Sequence, residues 1–140
     1  MSSPMSSAQP DERLKILVVD DAAAVVDQLS ETLRSGGYDV VTAHDGLEAK
    51  HRLREHPSTK LAIVDLHMPR MGGQELLEHI RQIEGLEDLP IVILTTDKAP
   101  ANLGKAMSKG ATGWILKPHD PERLLQAIDR ILGAAQPPGS

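Results

Sequence analysis

The sequence is defined first by what it lacks. Its 140 residues include no cysteine, which excludes disulfides, cysteine-ligated zinc and thiol nucleophiles. It has no phenylalanine, one tryptophan and one tyrosine, so aromatic stacking is not a general means of recognition. Basic residues do not exceed acidic ones: 15 Lys and Arg face 20 Asp and Glu, a formal net charge of -5. That balance argues against a nucleic-acid or anionic-membrane surface. No apolar run approaches the roughly 20 residues a membrane span needs. The segment Met1 to Pro10 lacks the basic-then-apolar layout of a signal peptide. What remains is a 40% hydrophobic fraction carried mostly by Leu, Ile, Val and Ala. That is enough for one aliphatic core in one domain, and a soluble, cytoplasmic protein is expected.

Residues 1–12 have no apolar periodicity, and 133–140 (GAAQPPGS) are small and Pro-rich. Both are expected to be flexible tails around a folded domain at 13–132. Within it, short apolar runs alternate with longer amphipathic stretches. Ile16 to Val19, Leu61 to Val64, Pro90 to Leu94 and Gly113 to Leu116 are continuous apolar runs, and Asp39 to Thr42 is a fifth strand candidate. Continuous rather than alternating apolarity predicts strands buried on both faces, as in a parallel sheet covered by helices.

The intervening stretches have helical spacing. Val25, Val26, Leu29 and Leu33 form one stripe, stopped by Gly36-Gly37. Leu47, Ala49 and Leu53 form a second, entered through a capping box at Asp45-Gly46-Leu47-Glu48. Leu76, Leu77, Ile80 and Ile83 mark a third, stopped near Gly85, and Leu103, Ala106 and Met107 a fourth, stopped at Gly110. Leu124, Leu125, Ile128 and Ile131 mark the fifth, entered through Asp120-Pro121-Glu122. The pattern is five βα units, which predicts a parallel sheet with helices on both faces.

The polar residues of interest share one location. Asp20-Asp21, Asp65, Thr95-Thr96 and Lys117 each follow the carboxyl end of a predicted strand, where sites form in open α/β sheets. Three clustered carboxylates repel: two like charges about 4 Å apart cost roughly 4 kcal/mol at an effective dielectric of 20. A cation must compensate them. An all-oxygen, solvent-open site suits Mg²⁺, and Lys117 adds a second positive charge. A carboxylate beside a divalent ion and a lysine can attack phosphorus, because both cations neutralise the incoming phosphoryl oxygens. Thr95 offers one of those oxygens a hydroxyl donor.

The segments KILVVDD (Lys15 to Asp21), AIVDLHMPRMGG (Ala62 to Gly73), PIVILTT (Pro90 to Thr96) and GATGWILKP (Gly110 to Pro118) together resemble the receiver domain of two-component response regulators. The resemblance is strongest to the chemotaxis-type single-domain regulators and covers about residues 13–132. It implies a flavodoxin-like (CheY-like) α/β fold, (βα)5 and doubly wound, with strand order 2-1-3-4-5. It implies Asp65 as phospho-acceptor and a cognate sensor histidine kinase as donor. Asp21 would ligate Mg²⁺ directly and Asp20 through water, with Asp65 and the backbone carbonyl of His67 completing the protein ligands. Thr95 would be the switch hydroxyl, and Lys117 would contact the phosphoryl group before a cis bond to Pro118. Trp114 stands where the family places its switch aromatic. The output face would be the fourth helix, fifth strand and fifth helix, roughly 99–132, binding a downstream protein or weakly pairing two copies of an otherwise monomeric chain. Such a domain catalyses only its own phosphorylation and dephosphorylation. His67, Thr96 and His119 depart from the commonest residues at their positions. His67, Thr96 and Asp97 are expected to modulate phosphoryl lifetime, His67 and Asp97 by flanking the path of hydrolytic water.

Each residue also has a plainer reading. Asp20-Asp21 caps a helix, Asp65 sits in a turn, Thr95-Thr96 are strand-end hydroxyls, Lys117 is a surface lysine, and Trp114 is inward core. His67 is a loop side chain that only shapes the site, His119 is a surface residue rather than a partner contact, and His44, His51, His56 and His79 have no metal-ligand spacing. Two other functions compete. A Mg²⁺-dependent Asp-nucleophile phosphatase wants Asp-x-Asp on the nucleophile strand, where this chain has Asp65-Leu66-His67. A flavin carrier wants a phosphate cradle where this chain has Asp20-Asp21, and Gly-rich nucleotide motifs are missing. Within the receiver reading, the alternative to a stand-alone chemotaxis-type or phosphorelay protein is a receiver cut from a longer regulator or hybrid kinase.

Overall fold

The computed structural model describes residues 13–68 and 70–134. Five strands alternate with five helices: β1 (Lys15–Val19), α1 (Ala23–Ser35), β2 (Asp39–Ala43), α2 (Gly46–Glu55), β3 (Thr59–Val64), α3 (Gly73–Arg81), β4 (Ile91–Thr95), α4 (Pro100–Ser108), β5 (Gly113–Leu116) and α5 (Pro121–Ala134). The strands form one parallel sheet in the order β2-β1-β3-β4-β5, the doubly wound order the resemblance implies. The chain begins at β1, builds outward to β2, then reverses across β1 to β3. Strand order therefore switches between β1 and β3. The N-terminal segment 1–12 and residues 135–140 lie outside the described residues. Helix α5 takes in Gly133 and Ala134, which the sequence reading placed in the C-terminal tail.

Side-chain alternation along the central strands divides the core into two layers. Leu17, Val19, Ala62, Val64, Ile91 and Ile93 face α2 and α3, meeting Ala49, Leu53, Leu76, Leu77 and Ile80. Ile16, Val18, Leu61, Ile63, Val92 and Leu94 face α1 and α5, meeting Val26, Leu29, Leu33, Leu124, Ile128 and Leu132. Both faces of β1, β3 and β4 are thus covered, as continuous apolar runs require.

Gly113 to Leu116 departs from that expectation. As the edge strand β5 it alternates, with Ile115 packed inward while Trp114 is 46% and Leu116 37% exposed. Helix α4 buries only Leu103 and Ala106, and Met107, expected in its buried stripe, is 37% exposed. Leu47 is a second correction: it is 50% exposed. The buried stripe of α2 is Gly46, Ala49 and Leu53, because Gly46 turns toward Met71 and rotates Leu47 into solvent. The capping box is displaced as well. Asp45 accepts the Glu48 N–H at 2.8 Å, but the Glu48 carboxylate reaches the His44 N–H at 2.7 Å instead of that of Asp45. Helix α3 ends at Arg81, so Ile83 packs against the core from the following turn.

The one tyrosine joins distant elements. Tyr38 is buried before β2, and its hydroxyl donates to the Asp129 carboxylate on α5. Burial first, then Asp129, pushes the phenol above its ordinary pKa. Asp129 lies on the exposed face of α5 and can be rehydrated, so Tyr38→Phe is expected to lower unfolding free energy by only about 1 kcal/mol. Urea titration with an unchanged slope checks this, and a loss beyond about 3 kcal/mol would contradict a single hydrogen bond as the link.

Candidate functional site

The sheet's own hydrogen bonds carry the polar residues into place. Beyond the last residue of β1, the Asp20 N–H bonds the Ala43 carbonyl at 3.2 Å. Beyond β3, the Asp65 N–H bonds the Val19 carbonyl at 2.9 Å, and beyond β5 the Lys117 N–H bonds that of Thr95 at 2.8 Å. Each ladder is extended by one rung, and each added rung bears a functional group. Asp20, Asp65 and Lys117 therefore converge at the β1/β3 switch point with little backbone freedom.

Asp20 is almost wholly buried. Its Oδ1 accepts the Ala22 N–H at 2.9 Å, which steadies the entry to α1, and its Oδ2 accepts from Lys117 Nζ at 2.7 Å. The same ammonium lies 3.7 Å from Asp65 Oδ1. Asp21 is exposed, yet it offers an oxygen to the group: carboxylate oxygens of Asp20, Asp21 and Asp65 all lie within 4.8 Å of one another. One lysine cannot neutralise three carboxylates, and Asp65 records the imbalance. Its carboxyl is held above the usual carboxylate range, first by burial and then by the Asp20 charge, with Lys117 and the His67 N–H pulling the other way.

This donor set fits a small hard cation. Mg²⁺ takes oxygen ligands at about 2.0–2.1 Å, and carboxylate oxygens that all lie within 4.8 Å of one another are near enough to share one ion. Asp21 is exposed, so the group meets solvent, whose waters would complete the shell. Among the described residues these three form the one acidic or histidine cluster with metal-binding spacing.

Around the cluster, two loops are tied together. Thr95 is fully buried, and its Oγ1 accepts the Asp97 N–H at 3.1 Å. The Asp97 carboxylate accepts the Ala99 N–H at 2.8 Å and the Asn102 side-chain amide at 2.7 Å. Its Oδ2 also lies 2.6 Å from His67 Nε2. A carboxylate can only accept, so Nε2 carries the proton. His67 first, then these amides, hold the Asp97 carboxyl below its ordinary range. Thr96 is exposed at the rim, in a cleft with Val25, Gln28, Lys117, Pro118 and His119. The Lys117-Pro118 peptide is cis, as the resemblance implies. Trp114 is not part of the cluster. It lines a separate groove with Leu116, Pro118, His119, Arg123 and Leu124, so the inward-core reading of this residue is set aside.

Several contributors escaped the sequence reading. Arg70 adopts φ 67° and its guanidinium reaches Asp45 Oδ2 at 2.6 Å, tying the loop after Asp65 to the start of α2. Gly73 packs directly on the Asp65 carbonyl. Asn102 meets Asp97 from α4. The Met-Gly-Gly at 71–73 was a visible signal for a tight approach. Arg70 and Asn102 had none, since both contacts depend on how separate loops meet.

A doubly wound parallel sheet with three carboxylates and a lysine at its switch point defines a class of α/β domain. Comparison with known proteins narrows it. The response regulator receiver domain family matches residues 16–129. The chemotaxis protein CheY homolog of Campylobacter jejuni is 34% identical over 128 residues, covering 91% of this chain and 98% of that protein. Chemotaxis protein CheY1 of Helicobacter pylori is 34% identical over 121 residues, covering 86% and 98%. Among solved structures, Vibrio cholerae chemotaxis protein CheY4 superposes with a TM-score of 0.81 at 36% identity, covering 85% of this chain and 98% of that one. The chain belongs to the response regulator receiver domain family and is CheY-like within it.

Proposed function

We propose that this chain is a phosphorylation-controlled binding module of two-component signalling, acting in the cytoplasm in a chemotaxis-like or phosphorelay pathway. The observation that carries the reading is the convergence of Asp20, Asp21 and Asp65 oxygens within 4.8 Å, with Lys117 Nζ bridging Asp20 and Asp65. An Asp65 carboxylate oxygen attacks the phosphorus of a phosphohistidine on a sensor kinase. The P–N bond breaks, an acyl phosphate forms, and the departing imidazole takes up a proton. Asp20, Asp21, Asp65 and the His67 carbonyl would hold Mg²⁺, with Asp20 acting through water. The bound ion would supply charge neutralisation for the phosphoryl oxygens. Lys117 holds one of those oxygens.

Thr95 then turns its hydroxyl from the Asp97 N–H to the phosphoryl group, and the β4–α4 loop repacks. Trp114 moves inward and alters the face formed by α4, β5 and α5, where Met107, Trp114 and Leu116 stand exposed. A downstream protein, or weakly a second copy, binds that face. His67, Thr96 and Asp97 set how long the phosphoryl group survives. The domain turns over no external substrate, and the acidic balance supports a protein rather than a nucleic-acid target.

Incubation with acetyl phosphate and Mg²⁺, followed by borohydride trapping and peptide mapping, tests the site. The label is expected on Asp65 alone and is lost when EDTA is present. Label on another residue, or label indifferent to EDTA, would overturn the assignment.

A further inference from the structure

Asp97 is a junction between three parts of the molecule. Its backbone N–H donates to Thr95 Oγ1 at 3.1 Å, its Oδ2 meets His67 of the acceptor loop at 2.6 Å, and the carboxylate holds the first turn of α4. That last hold has two strands: the Ala99 N–H at 2.8 Å and the Asn102 side-chain amide at 2.7 Å. Of these, Asn102 is the side chain within α4 itself. Its own carbonyl accepts from Gln74 of α3 at 3.3 Å, so it also marks where α4 leans on α3. Helix α4 is anchored lightly, burying only Leu103 and Ala106, and Leu103 is the neighbour of Asn102. A directional, charge-assisted bond at its first turn therefore competes with a small apolar footprint.

We propose that Asn102 is a positioning residue that couples the phosphorylation site to α4. The inference rests on the reading above, in which the Thr95 hydroxyl leaves the Asp97 N–H for the phosphoryl group. When that acceptor departs, Asp97 loses its backbone tie to Thr95 while its carboxylate keeps those to His67, Ala99 and Asn102, and the Asn102 amide carries the resulting shift into the helix. Asn102 touches neither the acceptor nor the carboxylate cluster in the contacts described. Its loss should leave phosphorylation intact and disconnect α4 from it. The role comes from its amide donor and not from its bulk, so Asn102→Ala and the isosteric Asn102→Asp, which both lose that donor, should behave alike.

The test measures two quantities on the full chain. Intact mass gives the extent of phosphorylation by acetyl phosphate with Mg²⁺. Amide hydrogen exchange over 99–108 gives the change in α4 between the free protein and the protein with beryllofluoride and Mg²⁺. For both Asn102→Ala and Asn102→Asp, phosphorylation is expected within about twofold of wild type, while the exchange change in α4 falls to about a third or less. Should Asn102→Ala unfold, the isosteric variant decides alone. A full wild-type change in α4 in either folded variant overturns the coupling role. Equal loss of phosphorylation and of the α4 change also overturns it, since Asn102 would then serve the site itself. A wild-type chain that takes no phosphoryl group overturns the functional reading beneath it, an outcome distinct from both.

Discussion

Asp65→Asn is expected to abolish phosphoryl uptake and, in metal-free buffer, to melt at a higher temperature than the wild type. The two effects have one cause. Asp65 is buried against Asp20, and its carboxyl is held above the ordinary range, by burial first and by the Asp20 charge second. Ionisation therefore costs more in the folded chain than in the unfolded one. The stability this group contributes is complete below the unfolded carboxylate value of about 3.9 and is lost as pH rises through the raised folded value. An asparagine of the same shape does not titrate. It also leaves the stronger of the two lysine contacts, Lys117 to Asp20 at 2.7 Å, in place. The melting-temperature gap between Asp65→Asn and wild type should open as pH rises through that interval and narrow or reverse on adding Mg²⁺, which only the wild type binds with its full ligand set. A gap that closes with rising pH, or is indifferent to Mg²⁺, would contradict the picture of an uncompensated acidic cluster. Scanning calorimetry of both proteins across pH, with and without Mg²⁺, measures it.

The same cluster shows how far the sequence could be read. Asp20, Asp65 and Lys117 each directly follow a strand, with Asp21 one residue further on, and parallel sheets place such positions side by side, so all four were legible from strand ends. The exposure of the last strand was not. Gly113 to Leu116 is as apolar as Leu61 to Val64, and only the resemblance, through the strand order 2-1-3-4-5, set it at the sheet edge, where Trp114 and Leu116 are left exposed. Leu47 fits a helical stripe by spacing, but the close approach of Gly46 to Met71 decides the rotation of α2. The polar ties follow the same rule. His67 and Asp97 are 30 residues apart and Arg70 and Asp45 are 25 apart. No local pattern encodes a pairing between loops.

Those ties matter because the acceptor loop has little slack, and Gly73→Ala should expose this as the largest loss of stability from any one-carbon addition considered for this chain. A Cβ at position 73 would lie 2.5 Å from the Asp65 carbonyl oxygen and 2.9 Å from Leu66 Cα. Both are backbone atoms, and the Gly73 N–H bonds the Leu66 carbonyl at 2.9 Å, so helix and loop cannot separate without breaking that bond. Position 46 is the natural comparison. There a Cβ would meet Met71 Cβ, Cγ and Sδ at 2.7–2.8 Å; Cγ and Sδ can turn aside with the flexible side chain, but Cβ is fixed by its backbone, so only part of the clash is relieved. Overpacking typically costs 1–3 kcal/mol, so Gly73→Ala is expected at about 3 kcal/mol and Gly46→Ala, where part of the clash is relieved, at about 2. For a folded unit of this size the former lowers the melting temperature by roughly 10 °C. Moving the Asp65 carbonyl also displaces the acceptor relative to Lys117, so Mg²⁺ should recover less stability in Gly73→Ala than in Gly46→Ala. Thermal melts of the two variants with and without Mg²⁺ separate the readings. Equal losses would mean that the backbone contact with Asp65 yields as easily as the contact with Met71, and that the acceptor is held by its strand alone.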